Sequence, residues 1–227
     1  MLQNSKILIR ENNMEDAKTV LHQQVFNYLE AAILDGHYKT NDTLNEVQIA
    51  KELEVSRTPV HEAIMQLESI GLVTSAGKGF VVSGISEKDL DDIYTIRIKI
   101  EGIAARLSAK NITKDECSAL EKIVDLQEFF LMKNKLEELW KLDTDFHKII
   151  YESSRSKTMR FMLSTLHSYA KHARDVSFSR KERAAASIDE HRKILTAIQA
   201  GDGKAAEEEM VNHIKNAREN VLKEFKA

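Results

Sequence analysis

The sequence predicts a mainly α protein, an N-terminal winged helix-turn-helix followed by an all-α antiparallel helical bundle. Three observations lead there. Residues 53–73, from Leu53 to Val73, have the pattern of the turn and second helix of a helix-turn-helix, ending in the Gly71-Leu72-Val73 that leads into a β-hairpin. One proline and eight glycines in 227 residues favour long uninterrupted helices. Beyond residue 84 no strand-like alternation of apolar and polar residues occurs.

The elements follow in order. Val25, Tyr28, Leu29, Ala32 and Ile33 repeat at helical spacing, and Gly36 is a stop signal. Asn45 with Gln48 makes a capping-box pattern opening a short helix through Leu53. Ser56-Arg57-Thr58-Pro59 opens the next, with Ser56 as its cap and the proline in a first turn, where a missing N–H is tolerated. Ile64, Leu67 and Ile70 are expected on its inner face, with Gly71 ending it. Leu72-Val73 and Phe80-Val81-Val82 flank the turn-rich Ala76-Gly77-Lys78-Gly79, which predicts a hairpin. Ser83-Gly84 is the expected hinge, dividing a winged domain at 1–84 from a bundle at 85–227. Helices are expected at roughly 87–109, 114–133, 135–153, 157–178, 187–200 and 203–224. Ser86 with Asp89, Thr113 with Glu116 and Ser187 with Glu190 have capping-box spacing, and Gly201-Asp202-Gly203 is a tight turn.

Charge argues against indiscriminate polyanion binding. The chain carries a formal −3, and in residues 1–84 eleven acidic residues outnumber seven basic ones. Sequence-independent DNA binding rests on phosphate neutralisation and is expected to be weak. A DNA-binding role then needs a locally basic face and two copies of the motif. No apolar run is long enough to span a membrane and no signal-peptide-like core opens the chain. Cys117 is the single cysteine, so no internal disulfide forms, which suits a reducing cytoplasm. Residues 1–20 carry no interpretable motif.

Two groups of residues carry chemistry. At the start of the second helix, Arg57 is the candidate for reading guanine through its planar fork. Thr58 and His61 are candidates for phosphates, and Gly77, Lys78 and Gly79 form the tip of a wing where glycine lets the backbone come close. In the bundle, Asp143 and His147 lie four residues apart, on one helix face. His191 and His213 each lie eleven residues from Asp202, so helices hinged at that turn bring them to one level. One carboxylate and three imidazoles suit a divalent Zn, Ni, Mn or Fe ion, with about two positions left open if octahedral. The alternative is a surface Asp–His contact and histidines satisfied by ordinary hydrogen bonds. His22, His37 and His167 carry no motif and are expected to be structural or at the surface.

Both halves together resemble the GntR family of bacterial transcription regulators, in the FadR-like branch with an FCD effector domain. The DNA-binding pattern is met by Ala32-Ile33-Leu34-Asp35-Gly36, Leu44-Asn45-Glu46, Ile49-Ala50, Val55-Ser56-Arg57-Thr58-Pro59-Val60, Glu62-Ala63-Ile64, Gly71-Leu72-Val73 and Gly77-Lys78-Gly79. The effector pattern is met by Arg97, Glu101, Asp143-Thr144-Asp145-Phe146-His147, Glu190-His191, Ala197 to Asp202, and His213. The resemblance implies an FCD-like bundle, double-stranded operator DNA bound by a homodimer, and a metal on Asp143, His147, His191 and His213. It also implies that Arg97, at a position the family reserves for arginine, holds a small carboxylate effector. An ion pair with Glu101 is the plainer role. Lys171, His172 and Arg174 are near enough in sequence to line the same pocket but carry no motif. The chain departs from the family at His61, where arginine is usual, and at Thr40-Asn41, where Pro-Gly is usual. Its rivals are a metal-dependent hydrolase or lyase with an accessory winged helix, and a protein-interaction module.

Overall fold

The computed structural model describes residues 14–77, 79–170 and 181–225. Residues 1–13, Lys78, Lys171, His172 and Arg174 lie outside the described residues. The chain forms two compact units, 1–86 and 87–227.

In the first unit, α1 (Met14–Leu34) is followed by a two-residue strand β1 (Thr43–Leu44), α2 (Glu46–Glu52), α3 (Arg57–Ser69), β2 (Val73–Ala76) and β3 (Gly79–Val82). The sheet has the order β1-β3-β2, wholly antiparallel, with Thr43 and Thr74 on either side of Val81. Val25, Leu29, Val60, Ala63, Ile64, Leu67, Leu72 and Val73 form the core, each at most 1% exposed. Burial of such side chains, roughly 1.5–3 kcal/mol each, is what holds α1 against α3. Ile70 does not join them. It caps α3 and is 40% exposed, because the helix has ended and its side chain leaves the inner face. Ser56 occupies the N-cap position with extended backbone but makes no capping hydrogen bond. The box at Asn45 is half formed: Asn45 accepts from the Val47 and Gln48 amides, while the Gln48 side chain turns to Glu52 at 2.8 Å. Between α2 and α3, Glu54 takes a left-handed φ of +55°. β1 was beyond sequence periodicity, since two residues define no alternation.

The second unit contains α4 (Glu87–Asn111), α5 (Lys114–Met132), a 3-10 turn (Leu136–Glu138), α6 (Leu139–Ser153), α7 (Lys157–Tyr169), α8 (Lys181–Gln199) and α9 (Gly203–Phe225). Among the described residues no helix is long and apolar enough to cross a membrane. Thr113 and Glu116 form a complete capping box, and Asp202 accepts from the amides of Lys204 and Ala205 at the start of α9. Ser187 does not start a helix. Described α8 already begins at Lys181, and Ser187 is buried in its interior. Glu190, freed from any capping role, points to the bundle interior instead, as described below.

Gly102 sets the spacing of α4 and α9. A Cβ there would lie 2.7 Å from Val211 Cγ2 and 3.2 Å from Glu207 Cγ, distances that side chains do not tolerate without movement. The absence of a side chain lets the two helices approach and carries His213 of α9 toward the residues of α4. Gly102→Val should therefore destabilise the protein by about 1–3 kcal/mol through overpacking, measured by urea unfolding; unchanged stability would show that α9 relaxes freely.

Arg155 bonds the Glu116 carboxylate at 2.6 Å. That bond, assisted by the Thr113 amide and hydroxyl against a burial effect in the other direction, holds Glu116 below the ordinary carboxylate range. A carboxylate with a depressed folded pKa stabilises the fold above its unfolded pKa and stops doing so as pH falls through the folded one. The stability advantage of the native chain over Glu116→Gln should be present at pH 7 and shrink below about pH 4.5. Denaturant midpoints across that range measure it, and a pH-independent difference would contradict the assignment.

A candidate metal centre and a candidate DNA interface

The bundle brings the four sequence-selected residues together. Asp143 and His147 come from one face of α6, His191 from α8 and His213 from α9, and one ligand atom of each lies within 4.8 Å of the others. All four are buried, at 1%, 1%, 0% and 3% exposure. His147 Nε2 faces His213 Nε2 at 3.3 Å, and His191 Nε2 lies 3.6 Å from Asp143 Oδ1. Phe146 stacks on His191 with ring centroids 4.1 Å apart, which fixes that ring's plane.

The outer nitrogen of each imidazole faces a side chain of another helix. His191 Nδ1 meets Gln127 Oε1 of α5 at 2.9 Å, His213 Nδ1 meets Glu190 Oε2 of α8 at 2.7 Å, and His147 Nδ1 faces Glu101 Oε2 of α4 at 2.9 Å. Gln127 and Glu190 accept, so His191 and His213 carry their protons on Nδ1 and direct the lone pair of Nε2 inward. His147 Nδ1 stands close to Glu101 Oε2 without forming a hydrogen bond to it. Burial, reinforced by the neighbouring His213, His147 and Arg183, pushes His191 well below its usual pKa. Burial likewise lowers His213, against the pull of its Glu190 bond. His213 Nε2 and His147 Nε2 face each other at 3.3 Å, so either a proton between them or a cation among them satisfies both atoms. His191 Nε2 has no hydrogen-bond partner although it is fully buried. The residues thus fit a divalent ion, with outer partners of the kind that orient metal-bound histidines.

Arg97 and Glu101 form the ion pair that was the plainer alternative, through Nε, with side chains 1% and 0% exposed. The guanidinium also lies 4.8 Å over the Tyr94 ring. Burial opposes both charges. The pair overrides it, since Glu101 raises the Arg97 pKa and Arg97 with His147 lowers that of Glu101. Arg97 Nη1 remains buried without a hydrogen-bond partner. His167, expected to be structural or at the surface, is buried beside the candidate centre. It is 5% exposed, 3.4 Å from Arg97 Nη2, and 3.9 Å from Asp143 Oδ2. Its place came from the way α7 packs, for which a lone histidine gives no signal. Outside it, Trp140, Thr144, Lys148 and Tyr151 border an open cleft of about 510 Å³. Glu101, His147 and His167 also lie close enough to share an ion. That set is disfavoured because Glu101 already neutralises a buried arginine.

In the first unit, Arg57, Thr58, His61 and Gly79 border an open cleft of about 740 Å³ together with Glu46 and Phe80. Gly77 takes φ +61° at the tip of the hairpin, a conformation that favours glycine. Arg57 and His61 are not free: Glu46 Oε2 lies 3.1 Å from Arg57 Nη2 and Oε1 lies 2.8 Å from His61 Nδ1. The sequence reading included Glu46 in the family's DNA-binding pattern but gave it no role, because a contact across eleven and fifteen residues between two helices leaves no periodic trace.

Two family models match this chain, the FCD domain at residues 92–216 and the bacterial regulatory proteins of the gntR family at residues 21–82. The chain belongs to the GntR family, with an FCD domain. Among GntR-type relatives, the HTH-type transcriptional regulator YdhC of Bacillus subtilis is 29% identical over 208 residues, covering 91% of this chain and 93% of that protein. The HTH-type transcriptional repressor RspR of Escherichia coli is 27% identical over 202 residues, covering 88% and 89%. The solved structure of E. coli McbR/YncC shares the fold, with a TM-score of 0.75 at 22% identity, covering 90% of this chain and 98% of the other. This GntR chain is thus a DNA-binding transcriptional regulator. Its family and relatives are regulators, not enzymes, and the hydrolase or lyase alternative falls with that finding.

The buried pair gives a direct expectation. Glu101→Gln leaves the Arg97 guanidinium buried without its counter-charge, a change that typically costs about 3–5 kcal/mol. Calorimetric or urea unfolding should register a loss of that order, and a loss below about 1 kcal/mol would mean that His167 and Tyr94 alone sustain the charge.

Proposed function

We propose that this protein is a homodimeric, effector-responsive regulator that binds an operator inverted repeat. The effector is a small carboxylate taken up at a metal-containing pocket. The observation that carries the reading is the convergence of three imidazoles and Asp143 on one buried point, with Nδ1 of His191 and His213 already held. Asp143, His147, His191 and His213 would hold Zn, Ni, Mn or Fe as a divalent ion. Such an ion supplies a Lewis-acidic anchor for a carboxylate. Arg97 Nη1, buried and unbonded, is the complementary donor for the same anion.

On the DNA side, Arg57 reads a base edge, Thr58 and His61 approach phosphates, and Gly77, Lys78 and Gly79 follow the backbone from the wing. The acidic balance of residues 1–84 makes one copy a weak binder, so two copies on two half-sites supply the affinity. A repressor is favoured by the relatives, since RspR and a probable D-xylose utilization operon repressor of Paenarthrobacter nicotinovorans, 27% identical over 203 residues, both carry that description. A cytoplasmic location suits DNA as the partner.

Two measurements test the reading. Purified protein should carry close to one divalent ion per chain by elemental analysis, with His213→Ala losing most of it; a metal-free wild type after supplementation with Zn, Ni, Mn and Fe in turn would refute the metal pocket. Incubated with fragmented genomic DNA from its source, the protein should retain fragments sharing one short inverted repeat, and Arg57→Ala should lose that preference. Retention of the same repeat by Arg57→Ala would exclude this docking of α3, and elution as a monomer would exclude the dimer.

A further inference from the structure

Glu46 places a carboxylate in the middle of the surface assigned to DNA. Its side chain is 18% exposed and touches both the candidate base reader and a candidate phosphate contact, with Oε2 on Arg57 and Oε1 on His61. Association with DNA draws on phosphate neutralisation, so a negative charge here weakens binding unless it serves its neighbours. The backbone beneath it is fixed. Asn45 caps α2 immediately before Glu46, and Thr43 and Leu44 pair with Val81 and Phe80 of β3. Arg57 and His61, by contrast, are 67% and 52% exposed. The carboxylate is therefore the anchor, and the two exposed side chains are what it orders.

We infer that Glu46 is a positioning residue for sequence reading, presetting the Arg57 fork and the His61 tautomer so that base discrimination is gained and sequence-independent affinity is held down. This rests on the regulator reading above, in which α3 enters the major groove. Arg57 Nη2 gives one N–H to Glu46 and keeps the other, beside Nη1, for O6 and N7 of guanine, so the buttressed fork still makes a bidentate contact. His61 turns Nδ1–H to the carboxylate, which fixes the ring and leaves Nε2 directed away from Glu46. Phe80, edge-on to the His61 ring at 6.0 Å, limits its rotation. An arginine ordered before binding loses less rotamer entropy when it meets its base.

The test selects from a pool of random duplexes with full-length wild type, Glu46→Gln, Arg57→Ala and the double variant. Affinity is then measured for the enriched duplex and for a random-sequence duplex over a range of salt. Glu46→Gln should reduce discrimination at one base pair of each half-site by roughly tenfold, the scale of a bidentate contact. It should also bind the random duplex more tightly, with a salt dependence steeper by about one counterion. In the Arg57→Ala background, Glu46→Gln should change preference at that base pair no further. A lowered thermal midpoint with weaker binding to both duplexes and an unchanged motif would make Glu46 merely structural, and overturn the inference. Tighter binding to the enriched duplex with the same motif would make it only a competitor of the phosphates, and overturn it too. A wild type that enriches no motif overturns both readings, whereas a motif that Glu46→Gln leaves intact overturns only this one.

Discussion

Three imidazoles do not bring their Nε2 atoms to one buried spot unless something stands behind each ring. Here Glu101, Gln127 and Glu190 do so, from α4, α5 and α8, while the rings themselves come from α6, α8 and α9. The rest of the bundle follows from that requirement. Glu101 has to stay ionised in the interior, and Arg97 one turn earlier makes that possible. Glu190 is held at a pKa of about 2, against its own burial, by His213 and Arg183. Gly102 removes the side chain that would keep α9, and with it His213, away from α4.

One chemical device recurs in two environments. A carboxylate accepts from the Nδ1 of an imidazole at Glu190–His213 in the core and at Glu46–His61 on the surface. In the core the surroundings are dry, and the pairing decides which nitrogen is available and in which direction. On the surface, solvent screens the charge and the same contact is worth far less in stability. What it still supplies there is orientation. Charge balance differs accordingly. The interior groups are matched residue by residue, whereas the acidic first unit keeps its reading side chains partly neutralised before any nucleic acid arrives.

The two-part architecture, the hairpin, the long helices and the four converging side chains were legible in the sequence, because each leaves a short-range pattern. Asp143 and His147 share a helix face at a spacing of four, and His191 and His213 are symmetric about Asp202. Their meeting within the bundle then follows from the single turn at Gly201. What the sequence hid depends on packing between distant segments. His167 reaches Arg97 across seventy residues, Gln127 reaches His191 across sixty-four, and Glu46 reaches His61 across fifteen. Local rules also failed where a tertiary demand overrode them. Ser187 and Glu190 have capping spacing yet lie within α8, since Glu190 is needed beside His213. Ile70 continues an apolar period past the point where the helix stops.

The short strand β1 ties the approach to α2 onto the wing. Thr43 and Leu44 pair with β3, and Asn41 N and Asp42 O bond Val82 on the same strand. The segment that ends at Glu46 is consequently stitched to the hairpin rather than to the recognition helix it orders. For protein engineers who exchange DNA specificities by transplanting a recognition helix, this shifts the cut sites. A graft of Arg57–Ser69 alone would separate the reading side chains from the carboxylate that aims them. The transferable module runs from Asn41 through Val82, and chimaeras joined outside those limits retain the whole reading head.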